Sequence, residues 1–289
     1  MKAFIHYISL PFIYLTSILP FWLMQLFSNF LFLILYKVIG YRKKVVLTNL
    51  KNSFPEKSDT EIKQLMVRHY RYFFDLVLET IKTLSISRRT LKKRVTFNDT
   101  SIFKKYYKEK RSVIVVMGHY GNWELGGARF ALEAFHKLNI VYHPLHNEHF
   151  NRLMYKMRTR LGNGLYSMKN TLRCIIKDSK KITATAFIAD QTPPPSGAYW
   201  MNFLNQDTPV FNGTGKIAHK FNYPVIYASV KRVKRGYYNI TFEELFSNPN
   251  QHEPDEINNT FMTKLEEDIK EMPEIWLWTH RRWKHKRKQ

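Results

Sequence analysis

A chain of 289 residues with 46 Lys and Arg against 23 Asp and Glu carries a formal charge of +23, so its partners are anionic: nucleic acid, an anionic membrane or phosphorylated lipid, or an acidic protein. Hydrophobic residues at 44% and aromatics at 15% exclude a disordered polyelectrolyte and suffice for a sizeable core. The single Cys174 excludes a disulfide framework and a multi-Cys zinc site, and it fits a reducing compartment.

Between Ala3 and Tyr36 there is no Asp, Glu, Lys or Arg. A bilayer needs roughly 20 apolar residues to be crossed. Pro11 and Pro20 divide the stretch, leaving Phe21 to Tyr36 with some preceding residues as the spanning candidate. A bent helix lying in one leaflet, or a pair of buried helices capping the domain, has the same composition. Lys37, Arg42, Lys43 and Lys44 follow at once, which by the positive-inside rule leaves the rest of the chain in the cytoplasm. Residues 1–40 are therefore read as a membrane anchor and 41–289 as a single domain, since no linker or internal repeat divides the remainder.

Ser58-Asp59-Thr60-Glu61 is a capping box, and the apolar stripe Ile62, Leu65, Met66, His69, Tyr72, Phe73, Leu76 predicts a helix to about Leu84. Arg88 to Arg111 is strongly basic, either a solvated face or a surface for anionic lipid. Ser112 to Met117 is a short β-branched run of the kind that forms a strand covered on both faces. Gly118 punctuates it, His119 stands at its end, and Asn122 occupies an N-cap position. Helical spacing then runs through Leu125, Ala128, Phe130, Ala131, Phe135 and Leu138.

This strand, turn and helix carries the chemistry. On one continuous helix His119 and Glu124 would diverge by about 140°. With His119 on a loop and Glu124 in the first helical turn, the carboxylate can reach the imidazole and fix its tautomer. The other ring nitrogen could then take a proton from a hydroxyl. No Ser or Cys lies beside the pair, so that hydroxyl would belong to a substrate.

Further strands are expected at Asn139 to Tyr142, Thr183 to Ala189, and a hairpin of Pro224 to Val230 with Tyr237 to Phe242; helices are expected at Asn151 to Gly162, after Phe211, and at Asn259 to Glu271. His143 and His146 lack a partner set for a metal, and Cys174 reads as a small core residue of a helix. Asp190 and Gln191 end a strand beside Pro193-Pro194-Pro195, where open α/β sheets build their sites. The fold class is α/β, a central mixed and largely parallel sheet flanked by helices, with the N-terminal hydrophobic membrane-anchor helix.

Gly118-His119-Tyr120-Gly121-Asn122-Trp123-Glu124 resembles the His-x4-Asp/Glu signature of the lysophospholipid acyltransferase superfamily, specifically its bacterial lipid A secondary acyltransferase branch. Arg42-Lys43-Lys44, Asn49-Leu50, Ser53-Phe54-Pro55, Ala189-Asp190-Gln191 and the tail from Pro273 to Lys284 extend the likeness. Phe203-Leu204-Asn205 departs from the family's frequent Phe-Phe-Gly, which bears on the depth of an acyl pocket. The resemblance implies His119 as general base oriented by Glu124. It implies a substrate-side arginine about four residues before a glycine, matched best by Arg158 before Gly162 and next by Arg160. Asn122, Asp190 and Gln191 join these as substrate-side residues. It further implies acyl carrier protein as donor, a phosphorylated glycolipid or lysolipid acceptor, the bacterial inner membrane, and neither cofactor, metal nor nucleic acid. A phospholipid or aminolipid acceptor is the alternative within the superfamily. A basic membrane-anchored protein that binds nucleic acid or anionic lipid is the alternative outside it.

Overall fold

A computed structural model describes residues 2–133 and 135–287, with side chains from Tyr7 onward. The chain opens with α1 (Lys2–Ile18) and α2 (Phe21–Leu31), whose helical path continues as a π-helical turn, Phe32–Val38. Pro20 separates them by entering the second helix at its N-cap, where its missing N–H costs nothing. Phe21–Val38 is long and apolar enough to cross a membrane. Its inner side, Phe21, Met24, Ser28 and Phe32, is nevertheless buried against the rest of the protein, and Trp22, Leu26, Phe30 and Leu33 face outward.

The inner side rests on α4 (Asp59–Lys82), reached through α3 (Lys43–Ser53). The capping box starts α4 as its sequence demands: Ser58 Oγ accepts from the Glu61 N–H, and Glu61 Oε2 accepts from the Ser58 N–H at 2.8 Å. Next come α5 (Arg88–Arg94), β1 (Val95–Phe97), α6 (Ser101–Lys108), β2 (Val113–Met117) and α7 (Trp123–Phe130). They are followed by β3 (Lys137–Tyr142), α8 (Glu148–Thr159), β4 (Gly164–Ser167), α9 (Thr171–Lys177) and β5 (Thr183–Ile188). A small antiparallel ribbon, β6 (Tyr199–Phe203) and β7 (Gln206–Val210), precedes α10 (Gly213–Phe221), the hairpin β8 (Val225–Lys234) and β9 (Tyr237–Phe246), and α11 (Pro254–Glu271).

Seven strands form one sheet in the order β1-β9-β8-β2-β5-β3-β4, parallel throughout except between β8 and β9. The central strand β2 is buried at every residue, as expected for an all-apolar strand covered on both faces. It lies between β5 and β8, although β3 follows it in sequence. Strand order thus changes direction around β2, and such a point opens a crevice at the strands' carboxyl ends.

Two expectations need correction. The helix after Trp123 ends at Phe130 and does not run to Leu138, which belongs to β3 and pairs with Ala184 of β5. Gly126 and Gly127 each cost that helix about 1 kcal/mol, so it stops after two turns. The basic stretch Arg88 to Arg111 is also not uniform, since Val95–Phe97 adds an edge strand to β9 inside it.

A histidine–aspartate pair at the strand tips

The parallel register pairs Met117 with Ile188. His119 and Asp190 each lie two residues beyond that pair, so the sheet itself sets them side by side. Asp190 Oδ2 accepts from the His119 backbone N–H at 2.8 Å, and Oδ1 meets His119 Nδ1 at 2.6 Å. The Trp276 indole Nε1–H donates to Oδ2 at 2.8 Å. Burial alone would raise the Asp190 carboxyl; the imidazole charge and these N–H donors instead hold it at about 2. An ionised Asp190 accepts a hydrogen bond from Nδ1–H, which leaves Nε2 as the acceptor nitrogen, and the Gln191 amide Nε2 stands 3.2 Å from it.

The C-terminal segment clamps this loop. Tyr120 bridges to Trp276, the Gly121 N–H donates to the Ile275 carbonyl, and the Leu277 N–H donates to the His119 carbonyl. Gly121 has φ +61, and a Cβ there would sit 2.0 Å from the Val230 carbonyl oxygen, so only glycine turns the chain here. Asn122 caps α7 as its position suggests, its Oδ1 accepting from the Leu125 N–H at 3.0 Å, while its Nδ2 donates to the buried Glu79 at 2.7 Å.

The carboxylate on His119 is thus Asp190, and Glu124 does not fill that place. Once Asn122 caps α7, Glu124 in the first turn is directed toward α8, where Arg158 donates from Nε and Nη2 to both of its oxygens at 2.5–3.2 Å. Such a forked pair is the strongest arrangement open to an arginine and a carboxylate. Arg158 is the arginine brought to the site; Arg160 is spent on the Thr83 and Ile86 carbonyls beyond α4, donating at 2.7 and 2.5 Å.

The two pairs meet through Trp123, whose ring stands edge-on to His119 with centroids 4.8 Å apart. Trp123, Glu124 and Arg158 also line an apolar pocket under α7, whose walls include Met117, Phe130, Ile140 and Phe242. Gly126 and Gly127 face it: a Cβ on Gly126 would lie 3.0 Å from Ile240, and one on Gly127 3.3 Å from Ile140. The glycines that shorten the helix therefore keep the pocket open. Sequence reasoning named His119, Glu124, Asn122, Arg158, Asp190 and Gln191, but not Trp276 or His280; it read Arg281 and Arg282 of the tail as phosphate receivers, whereas Arg282 is fully buried beside this loop. The only signal for Trp276 and His280 was the tail motif.

The histidine–aspartate pair thus stands beside an apolar slot with a charged rim, and comparison with known families gives the class as an acyltransferase. The chain belongs to the bacterial lipid A biosynthesis acyltransferase family, whose profile matches residues 1–285. It is 26% identical over 251 residues to the lipid A biosynthesis palmitoleoyltransferase of Escherichia coli (strain K12), covering 84% of this chain and 79% of that protein. The lipid A biosynthesis acyltransferase of Shigella flexneri shows the same identity and coverage.

Proposed function

We propose that the protein transfers a fatty acyl chain from an acyl carrier protein thioester to a hydroxyl of a lipid A precursor, at the membrane, with His119 as general base. The observation that carries this reading is the His119–Asp190 pair beside the pocket under α7. The acceptor hydroxyl displaces the Gln191 amide from His119 Nε2 and gives up its proton there as its oxygen attacks the thioester carbonyl. Asp190 stabilises the imidazolium that results. The C–S bond then breaks, and the leaving thiolate recovers the proton from His119. The apolar pocket holds the acyl chain, and the Glu124–Arg158 pair fixes its mouth. The net charge of +23 suits an acidic carrier and a phosphorylated acceptor.

The outward apolar side of Phe21–Val38, with Lys37 at its end and Arg42, Lys43 and Lys44 after it, supports an inner-membrane location with the domain in the cytoplasm.

The test is acyl transfer in membranes carrying the lipid A precursor, with lauroyl-acyl carrier protein in one arm and lauroyl-coenzyme A in the other. His119→Ala is expected to lose at least roughly a hundredfold in rate. An unchanged rate would sink the base assignment, and equal use of coenzyme A thioester would sink the carrier assignment. Lipid profiles of a deletion strain name the acceptor: loss of one acyl chain from lipid A is expected, and loss from a phospholipid or aminolipid instead would overturn it.

A further inference from the structure

Arg282 is fully buried, and none of its three guanidinium nitrogens has a hydrogen-bond partner among the described residues. Enclosing a cation without an acceptor is among the costliest arrangements in a protein interior, and it persists where a buried countercharge offsets it. That countercharge is Asp190, whose field acts on Arg282 against the burial that lowers the guanidinium to about 10. The backbone places Arg282 at the site as well. Its carbonyl accepts from Thr192 Oγ1 at 2.6 Å, two residues beyond Asp190, and its N–H donates to the His280 carbonyl. Asp190 accepts from His119 and Trp276 and makes no hydrogen bond to Arg282, so the two charges act on each other across space.

We infer that Arg282 is a positioning cation for the base: acting through Asp190, its fixed charge holds the His119–Asp190 pair one proton short and so ready to accept the proton of the acceptor hydroxyl. This rests on the reading of His119 as base. An Asp190 carboxylate alone would favour a protonated pair, and a buried positive charge nearby opposes that second positive charge. The other titratable or charged groups acting at this place are few. His280 on the tail is itself driven down to about 4, chiefly by burial and further by His119, Arg282 and Lys284; Tyr227 on β8 is pushed up, chiefly by burial. Neither supplies a charge near neutral pH, and Lys284 is exposed to solvent, so among the described residues Arg282 is the buried fixed cation of the cluster.

The experiment is the pH profile of acyl transfer by the full chain in membranes, with lauroyl-acyl carrier protein as donor. Removing a positive charge makes proton uptake by the pair easier, so the low-pH limb should move up in Arg282→Met and Arg282→Gln. A shift of about one pH unit, or a roughly tenfold loss on the limb with the plateau within about threefold, is expected. Arg282→Lys should keep the limb in place. Neutral variants with an unmoved limb would overturn the inference.

A thermal double-variant cycle gives an independent reading. Arg282→Met should lower Tm in the wild-type background and do so less, or not at all, with Asp190→Asn. If Arg282→Met alone fails to fold, recovery of the fold in the double variant supports the pairing; additive losses, or a double variant that also fails to fold, count against it. Full activity in His119→Ala would sink the base assignment itself, whereas an inactive His119→Ala with unmoved Arg282 profiles would sink this inference alone.

Discussion

Two fully buried carboxylates flank the loop 118–122, and their environments drive them in opposite directions. Asp190 sits at about 2, held down by an imidazole and three N–H donors. Glu79 rises to about 7: burial dominates, the Tyr238 hydroxyl lowers it only in part, and the nearby Asp75 charge raises it further. Both are buried to a similar degree, so burial does not distinguish them. The three N–H donors that His119 and Trp276 direct at Asp190 do. Arg232 acts on Glu79 only weakly, because that guanidinium is committed to Asp75 at 2.8 Å. The lesson is that burial alone does not set the charge: one side of the loop holds its carboxylate ionised, and the other favours the protonated form.

The comparison breaks most severely at Asp190. Asp190→Asn removes the charge and changes which His119 tautomer is favoured, so the rate of acyl transfer should fall by roughly 10²–10⁴ with little change in KM. A loss below tenfold would show that the pair is structural. The carboxylate also stabilises the fold. Its folded value lies below the unfolded 3.8, so this contribution is present above about pH 3.8 and is lost as pH falls through about 2. Trp276→Phe is milder, removing one donor from an anion that keeps two. One charge-assisted hydrogen bond of about 1.5–3 kcal/mol predicts a loss on the order of tenfold or more, and an unchanged rate would exclude Trp276 from the support of Asp190.

How much of this was legible follows from the range of each contact. His119 at a strand tip, Asn122 as a cap and Ser58–Glu61 as a capping box are local patterns, and each stands in the structure as its neighbours dictate. The partner of His119 was not local. Glu124 is five residues away and Asp190 is 71, and choosing between them requires knowing that β5 rather than β3 lies beside β2. The same holds for Arg158 and Arg160. Two positions on a helix differ by about 200°, so only one can face Glu124, but which one depends on how α8 is rotated against α7. The tail was recognisable as a motif, yet nothing in its sequence says that Arg282 is enclosed. The inner side of Phe21–Val38 was equally hidden: a charge-free run looks alike whether lipid or protein covers it. Here Asp75 accepts from Ser28 Oγ at 2.7 Å on that run and from Arg235 on the β8–β9 turn.

On the neutral side, Asn122→Ala should act through stability before chemistry. It removes the α7 cap, worth about 1 kcal/mol, and leaves Glu79 with the Tyr238 hydroxyl alone. Thermal melting should fall by a few degrees, with a smaller loss of rate than at Asp190. A larger loss of rate than in Asp190→Asn would reverse the assignment of the two sides.

The smallest effect on rate and the clearest effect of pH belong to Glu79→Gln. Glu79 binds its proton more tightly folded than unfolded, so its contribution to stability is complete below about pH 4.5, the unfolded value. As pH rises from there toward about 7, the unfolded chain releases the proton while the folded chain keeps it, and stability falls by something on the order of 3 kcal/mol in all. Glutamine is neutral at every pH and retains an oxygen to accept from Tyr238, so it removes this slope without removing the contact. His69 titrates in an overlapping range, driven down to about 4 chiefly by burial, and contributes the opposite slope. The difference between wild type and Glu79→Gln cancels it. Between pH 5 and pH 8 the wild-type Tm should therefore drop relative to the variant, with the two proteins converging at the acid end and transferring acyl chains at rates within about threefold. Parallel Tm curves would mean that Glu79 is ionised in the folded protein, and the neutral side of the loop would then be as charged as the other.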